Sequence, residues 1–111
     1  MSVSNEKMEK ALTYLAETDI EYGQAKAACE GFKFRLKIAE SQAILEQVGK
    51  DGTVSEKEAR AKTDQGYRMM VDEYEAACTT RDTMGAKRKT AELIIEVWRS
   101  VNSSRNKGTI Q

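Results

Sequence analysis

Apolar residues recur along the first half of the chain with a helical, seven-residue period. Met8, Leu15, Tyr22, Cys29, Leu36 and Ala43 form one row. Ala11, Thr18, Ala25, Phe32 and Ala39 form a second row three positions on. This 3-4 alternation predicts a coiled-coil-like seam on a long helix over residues 5–48. Small alanines in the second row let a partner helix approach closely. Gly23 and Gly31 fall inside the run, where each costs about 1 kcal/mol relative to alanine. They are expected to mark a bend or a tight contact.

The run stops at Gly49-Lys50-Asp51-Gly52-Thr53, a glycine-rich turn signal. Ser55, with Glu58 three residues later, forms a capping box. It opens a short, polar helix over residues 56–62, so loop and short helix together occupy 49–63. Asp64 is the expected N-cap of a second long helix over 65–102. Tyr67, Met70, Val71, Tyr74, Ala77, Cys78, Met84, Ala91, Ile94, Ile95, Trp98 and Val101 supply its apolar face. A strict seam turns Arg81 and Arg88 inward, which is expensive unless they are paired. A kink, break or open face is therefore expected near Thr83–Gly85. Ala91 to Val101 is the densest apolar block, and Leu93 and Val97 widen its stripe. The polar tail, 103–111, is expected to fray.

These elements predict a single all-α domain over residues 1–111, a long antiparallel helical hairpin with a short connecting helix. Two helices cover each other's apolar faces poorly, so self-association is expected. Ala91, Ile94, Ile95, Trp98 and Val101 are the candidate interface between copies.

Composition narrows the chemistry. The 111 residues include no Pro and no His, and 32% are charged against 40% hydrophobic. Lacking His, the chain lacks the commonest general base and metal ligand. Cys29 and Cys78 are too few for a four-ligand zinc site. Asp72, Glu73 and Glu75 share a helix but have no partner nucleophile. No enzyme activity, metal or cofactor is expected. The tyrosine and methionine rows read as helix packing. Both cysteines fall on apolar helix positions and read as small, reduced core residues, with a disulfide or redox role as the alternative. No stretch approaches a membrane span, and residues 1–10 are unlike a secretory signal. A cytoplasmic protein with no membrane partner is expected.

The formal net charge of zero hides an uneven distribution. Segments 1–30, 31–50, 51–82 and 83–111 carry −3, +2, −3 and +4. One basic focus is Lys33, Arg35 and Lys37, interleaved with Phe32 and Phe34. The other is Lys87, Arg88 and Lys89, followed by Arg99, Arg105 and Lys107. Cations beside aromatic rings suit single-stranded nucleic acid, where backbone charge and base stacking both count. A solvated helix face is the plainer reading of either cluster. In a hairpin, the second focus lies beside Glu17, Asp19 and Glu21, which favours a salt network over a DNA patch.

The order of features resembles the UvsY-type recombination mediators of tailed bacteriophages. A long helix reaches Lys33-Phe34-Arg35-Leu36. The loop Gly49-Lys50-Asp51-Gly52 and a capped polar segment follow. An amphipathic helix then closes on Ser103-Ser104-Arg105-Asn106-Lys107-Gly108. The resemblance runs over residues 25–108. It implies a small all-helical protein that assembles through its C-terminal helix and binds single-stranded DNA. It also implies help in loading a recombinase onto strands coated by single-strand-binding protein, in the host cytoplasm. Lys33, Arg35 and Leu36 match the family's DNA-contacting Lys-x-Arg pair and the Leu after it. Ala91–Val101 matches its assembly helix. This chain has a longer interval between loop and tail and is less basic overall. The competing expectation is a helical adaptor or inhibitor that acts by protein–protein packing.

Overall fold

The computed structural model describes residues 3–109, with side chains described for 3–105. Within them the chain forms α1 (Asn5–Leu45), α2 (Val54–Lys62) and α3 (Gln65–Thr109). The fold is all-α: α1 and α3 run antiparallel as the arms of a long hairpin, with α2 in the connection. Both expected long helices are present, with shifted ends.

Local chemistry sets those ends. The Ser4 hydroxyl accepts from the Lys7 amide at 3.1 Å and starts α1. At its far end the ladder tightens. The amides of Gln47, Val48 and Lys50 donate to the carbonyls of Ile44, Leu45 and Gln47, three residues back. Gly49 then takes φ +81 and Gly52 φ +121, a region that favours glycine. The N-cap of α2 is Thr53, whose hydroxyl accepts from the Glu56 amide at 3.1 Å. The expected box at Ser55 and Glu58 is thus displaced by two residues. Thr53-x-x-Glu56 meets the same pattern and directly follows the glycine that redirects the chain. The Arg60 guanidinium donates to the Asp51 carbonyl and ties the loop to α2. Asp64 caps α3 as expected, its Oδ2 accepting from the Tyr67 amide at 3.0 Å.

α3 continues unbroken through Gly85, where a kink or opening was expected, and on to Thr109, past the expected start of fraying. A Cβ added at Gly23 or Gly31 meets open space, so neither glycine marks a tight contact.

By their contacts the residues form two units: Met1–Gly23 with Asp82–Gln111, and Gln24–Arg81. In the first unit, Ala11, Ala91 and Ile95 are buried together, with Met8, Tyr14, Leu15 and Ile94 packed around them. The Trp98 indole N–H donates to Asn5 Oδ1 at 2.8 Å. Arg88 lies in this seam with its side chain 13% exposed. Its Nη1 donates to the Leu15 carbonyl at 3.0 Å and to Thr18 Oγ1 at 2.7 Å. Nη2 reaches Asp19 Oδ1 at 3.3 Å, and the guanidinium stacks 5.2 Å from the Tyr22 ring centroid. The Thr18 hydroxyl donates its own proton to the Tyr14 carbonyl at 2.7 Å. The arginine turns inward without distorting α3 because α1 supplies acceptors for it.

In the second unit, Cys29 is 1% exposed and Ala43 and Ala61 are buried. Cys29 Sγ, on α1, lies 3.1 Å from Cys78 Sγ, on α3. Both are free thiols. Hydrogen bonding to Cys78, together with burial, pushes the Cys29 thiol above the ordinary thiol range. Hydrogen bonding to Cys78 likewise raises the Tyr74 phenol.

Two glycines on the same chain should respond oppositely to a methyl group. Gly31→Ala should stabilise the protein by about 0.5–1 kcal/mol, since its helical site is open. Gly52→Ala should cost about 1–3 kcal/mol, since its φ is left-handed and its Cβ would lie 2.9 Å from Glu56 Oε2. Urea unfolding of the two variants beside the parent measures both signs.

Candidate nucleic-acid interface

The seam residues Cys29, Phe32, Leu36 and Ala39 face inward, so the residues between them face out. Lys33, Arg35 and Lys37 are all exposed, and Phe34 is 66% exposed. This sets an open aromatic ring inside a run of three cations. The Arg35 guanidinium stacks 5.3 Å from the centroid of Phe32, the ring that faces the seam. That contact steadies one cation beside the free ring. Glu30 and Glu40 bound the segment on either side, confining its positive charge to about two helical turns.

The second focus separates into its members. Lys87 and Lys89 are exposed, as are Arg99 and Arg105. Arg88 is not: its donors are committed to Leu15, Thr18 and Asp19. It is therefore a seam residue in this structure. The side chain of Lys107 lies outside the described residues. The expected placement of this focus beside acidic residues holds for Asp19, which pairs with Arg88 at 3.3 Å. Within the first unit Lys87 and Lys89 keep their charge in solvent, and Lys33, Arg35 and Lys37 do so in the second.

The candidate assembly face changes as well. Ala91 and Ile95 are buried within the chain against Ala11, with Ile94 packed on the same cluster. Trp98 and Val101 are half-buried, and Trp98 is held to Asn5. Ala91 and Ile95 are thus used within the chain, while Ile94, Trp98 and Val101 keep part of their surface open. Leu93 in this block remains exposed, and other exposed large apolar residues lie outside it. Phe34, Ile38 and Leu45 recur at helical spacing on α1, Val48 follows in the turn, and Val54 opens α2. Periodicity marked the inner rows of α1 but did not single out this outer one, because charged residues interrupt it in sequence.

Among the described residues, no group of three or more His, Cys, Asp or Glu side chains is arranged to hold a metal ion. No helix among them is long and apolar enough to cross a membrane. Glu40, Glu58, Lys62 and Tyr67 line an open groove in the second unit with Ile44 and Ala61.

The two kinds of cation should separate on mutation. Arg88→Ala should destabilise the protein by about 1–3 kcal/mol, because it removes hydrogen bonds made by a largely buried charge. Lys87→Ala and Lys89→Ala should stay within about 0.5 kcal/mol of the parent. Chemical denaturation of the three variants checks the contrast.

Comparison of the chain with known protein families, with characterised proteins and with solved structures finds no match.

Proposed function

We propose that this chain is a small, non-enzymatic accessory protein of phage DNA metabolism. It binds single-stranded DNA through the Lys33–Lys37 segment of α1, acts as an oligomer, and assists recombinase loading. One observation carries the DNA-binding reading: exposed Phe34 lies in a run with Lys33, Arg35 and Lys37, all open to solvent. Bases stack on an exposed ring while cations hold the phosphates, and neither contact depends on sequence. The resemblance to UvsY-type mediators supports the same segment and adds the recombinase and the single-strand-binding protein as partners.

The charge sets the scale of the interaction. Three cations neutralise at most about three phosphates, so one copy binds weakly, with a logarithmic salt slope near −2. Aligning several copies on one strand raises the effective affinity without new contacts. With Ala91 and Ile95 used inside the chain, exposed Leu45, Val48 and Val54 at the hairpin turn are available for that role.

A second reading rests on a separate observation. Ile38 and Leu45 continue the Phe34 row along α1, and exposed Val48 follows in the turn. This face suits an adaptor or inhibitor that packs on a helix of another protein.

Fluorescence anisotropy with a labelled single-stranded oligonucleotide, read across salt, distinguishes the two. DNA binding requires a salt-sensitive signal that falls about tenfold or more in Phe34→Ala with Lys33→Ala, while helical circular dichroism is retained. No binding by the parent at low salt would overturn the DNA reading and leave the adaptor.

A further inference from the structure

Two thiols face each other across the hairpin in the second unit. Cys29 comes from α1 and Cys78 from α3, 49 residues apart in sequence, with their sulfurs 3.1 Å apart. Two sulfurs that close are within hydrogen-bond contact, and only about 1 Å separates them from the length of a disulfide. Each side chain is already aimed at the other. We infer that Cys29 and Cys78 form a thiol-oxidation site, at which a small-molecule disulfide such as oxidised glutathione converts the pair into an intrachain disulfide.

The two cysteines have different parts in the exchange. Cys78 is the more open to solvent, whereas Cys29 is 1% exposed. The thiolate of Cys78 therefore attacks one sulfur of oxidised glutathione and expels the other half as glutathione thiolate. Cys29, held against the new mixed disulfide, loses its proton and attacks Cys78 Sγ, expelling the second glutathione thiolate. The pair gives up two electrons and two protons, and two molecules of glutathione thiol are formed. The hydrogen bond shared with Cys78, together with burial, favours the protonated Cys29 thiol before the reaction, and the Arg81 positive charge opposes that effect. Cys29 thus acts second, as the resolving thiol.

The product closes a loop that contains the basic segment, the turn and all of α2. A covalent tie over a loop this long restricts the unfolded chain strongly. Oxidation therefore fixes α1 against α3 beside the Lys33–Lys37 segment without using any of its charges. This site stands whether or not that segment binds DNA.

The test uses the full reduced chain in glutathione buffers of graded ratio. Samples are quenched with a maleimide and weighed intact, in native buffer and in concentrated guanidinium chloride. The expected product is a monomer that carries no maleimide and is about 2 Da lighter than the reduced chain, having lost two hydrogens. Its formation should be favoured at least about tenfold in native buffer over denaturant, because the fold supplies the proximity. The oxidised chain should melt roughly 10 °C higher, and Cys29→Ser should stop at a glutathione adduct on Cys78. Either of two results overturns the inference. In one, the native chain takes up two maleimides under conditions that oxidise the denatured chain. In the other, native oxidation gives interchain dimers in place of the closed monomer.

Discussion

Close approach of α1 and α3 is the constraint on which the other contacts depend. The buried apolar residues among those described are Ala11, Cys29, Ala43, Ala61, Ala91 and Ile95. Four of these are alanines, whose burial removes little apolar surface from water. Their contribution is proximity: with small side chains in the seam, the backbones come near enough for polar groups to bridge it. The Arg88 contact with the Leu15 carbonyl, the Cys29–Cys78 contact and the Tyr22–Gly85 contact all depend on that nearness. At Gly85 a Cβ would lie 3.1 Å from the Tyr22 hydroxyl, so even alanine is tight there.

Arg88 shows how such a seam holds a charge. A guanidinium leaving water needs acceptors for its donors. Here they come from a backbone carbonyl, a hydroxyl and an exposed carboxylate, while the Tyr22 ring covers one face. The threonine is suited to this because its hydroxyl accepts from Arg88 and donates to Tyr14 in the same geometry. Committing Arg88 to the seam also separates the cations of its cluster. It leaves Lys87 and Lys89 as separate solvated charges, while Lys33, Arg35 and Lys37 remain exposed together with Phe34.

The repeat in α1 was legible in the residues because every seam position obeys the same seven-residue spacing. Met8 through Ala43 are buried or half-buried at each expected position. The caps were legible where one candidate stood alone, as at Asp64. They were ambiguous where Thr53-x-x-Glu56 and Ser55-x-x-Glu58 overlapped and only the glycine before Thr53 decided between them. The inward turn of Arg88 and its place beside Asp19 were legible from the seam and the hairpin. Its bonds to Leu15 and Thr18 were not, since those partners lie some 70 residues away in sequence and periodicity carries no register between helices. For the same reason both cysteines read as seam residues while their pairing did not. The block at Ala91–Val101 read as an interface between copies, and Ala91 and Ile95 of it pack on Ala11 of their own chain.

The register of α1 against α3 in the first unit is tested most directly by a double-mutant cycle on Thr18 and Arg88. The measurement is the unfolding free energy of the parent, Thr18→Val, Arg88→Met and the double variant. If the two side chains meet across the seam, the single losses will fail to add, with a coupling energy of about 1 kcal/mol or more. Strict additivity, with no coupling between positions 18 and 88, would contradict the seam described for these helices.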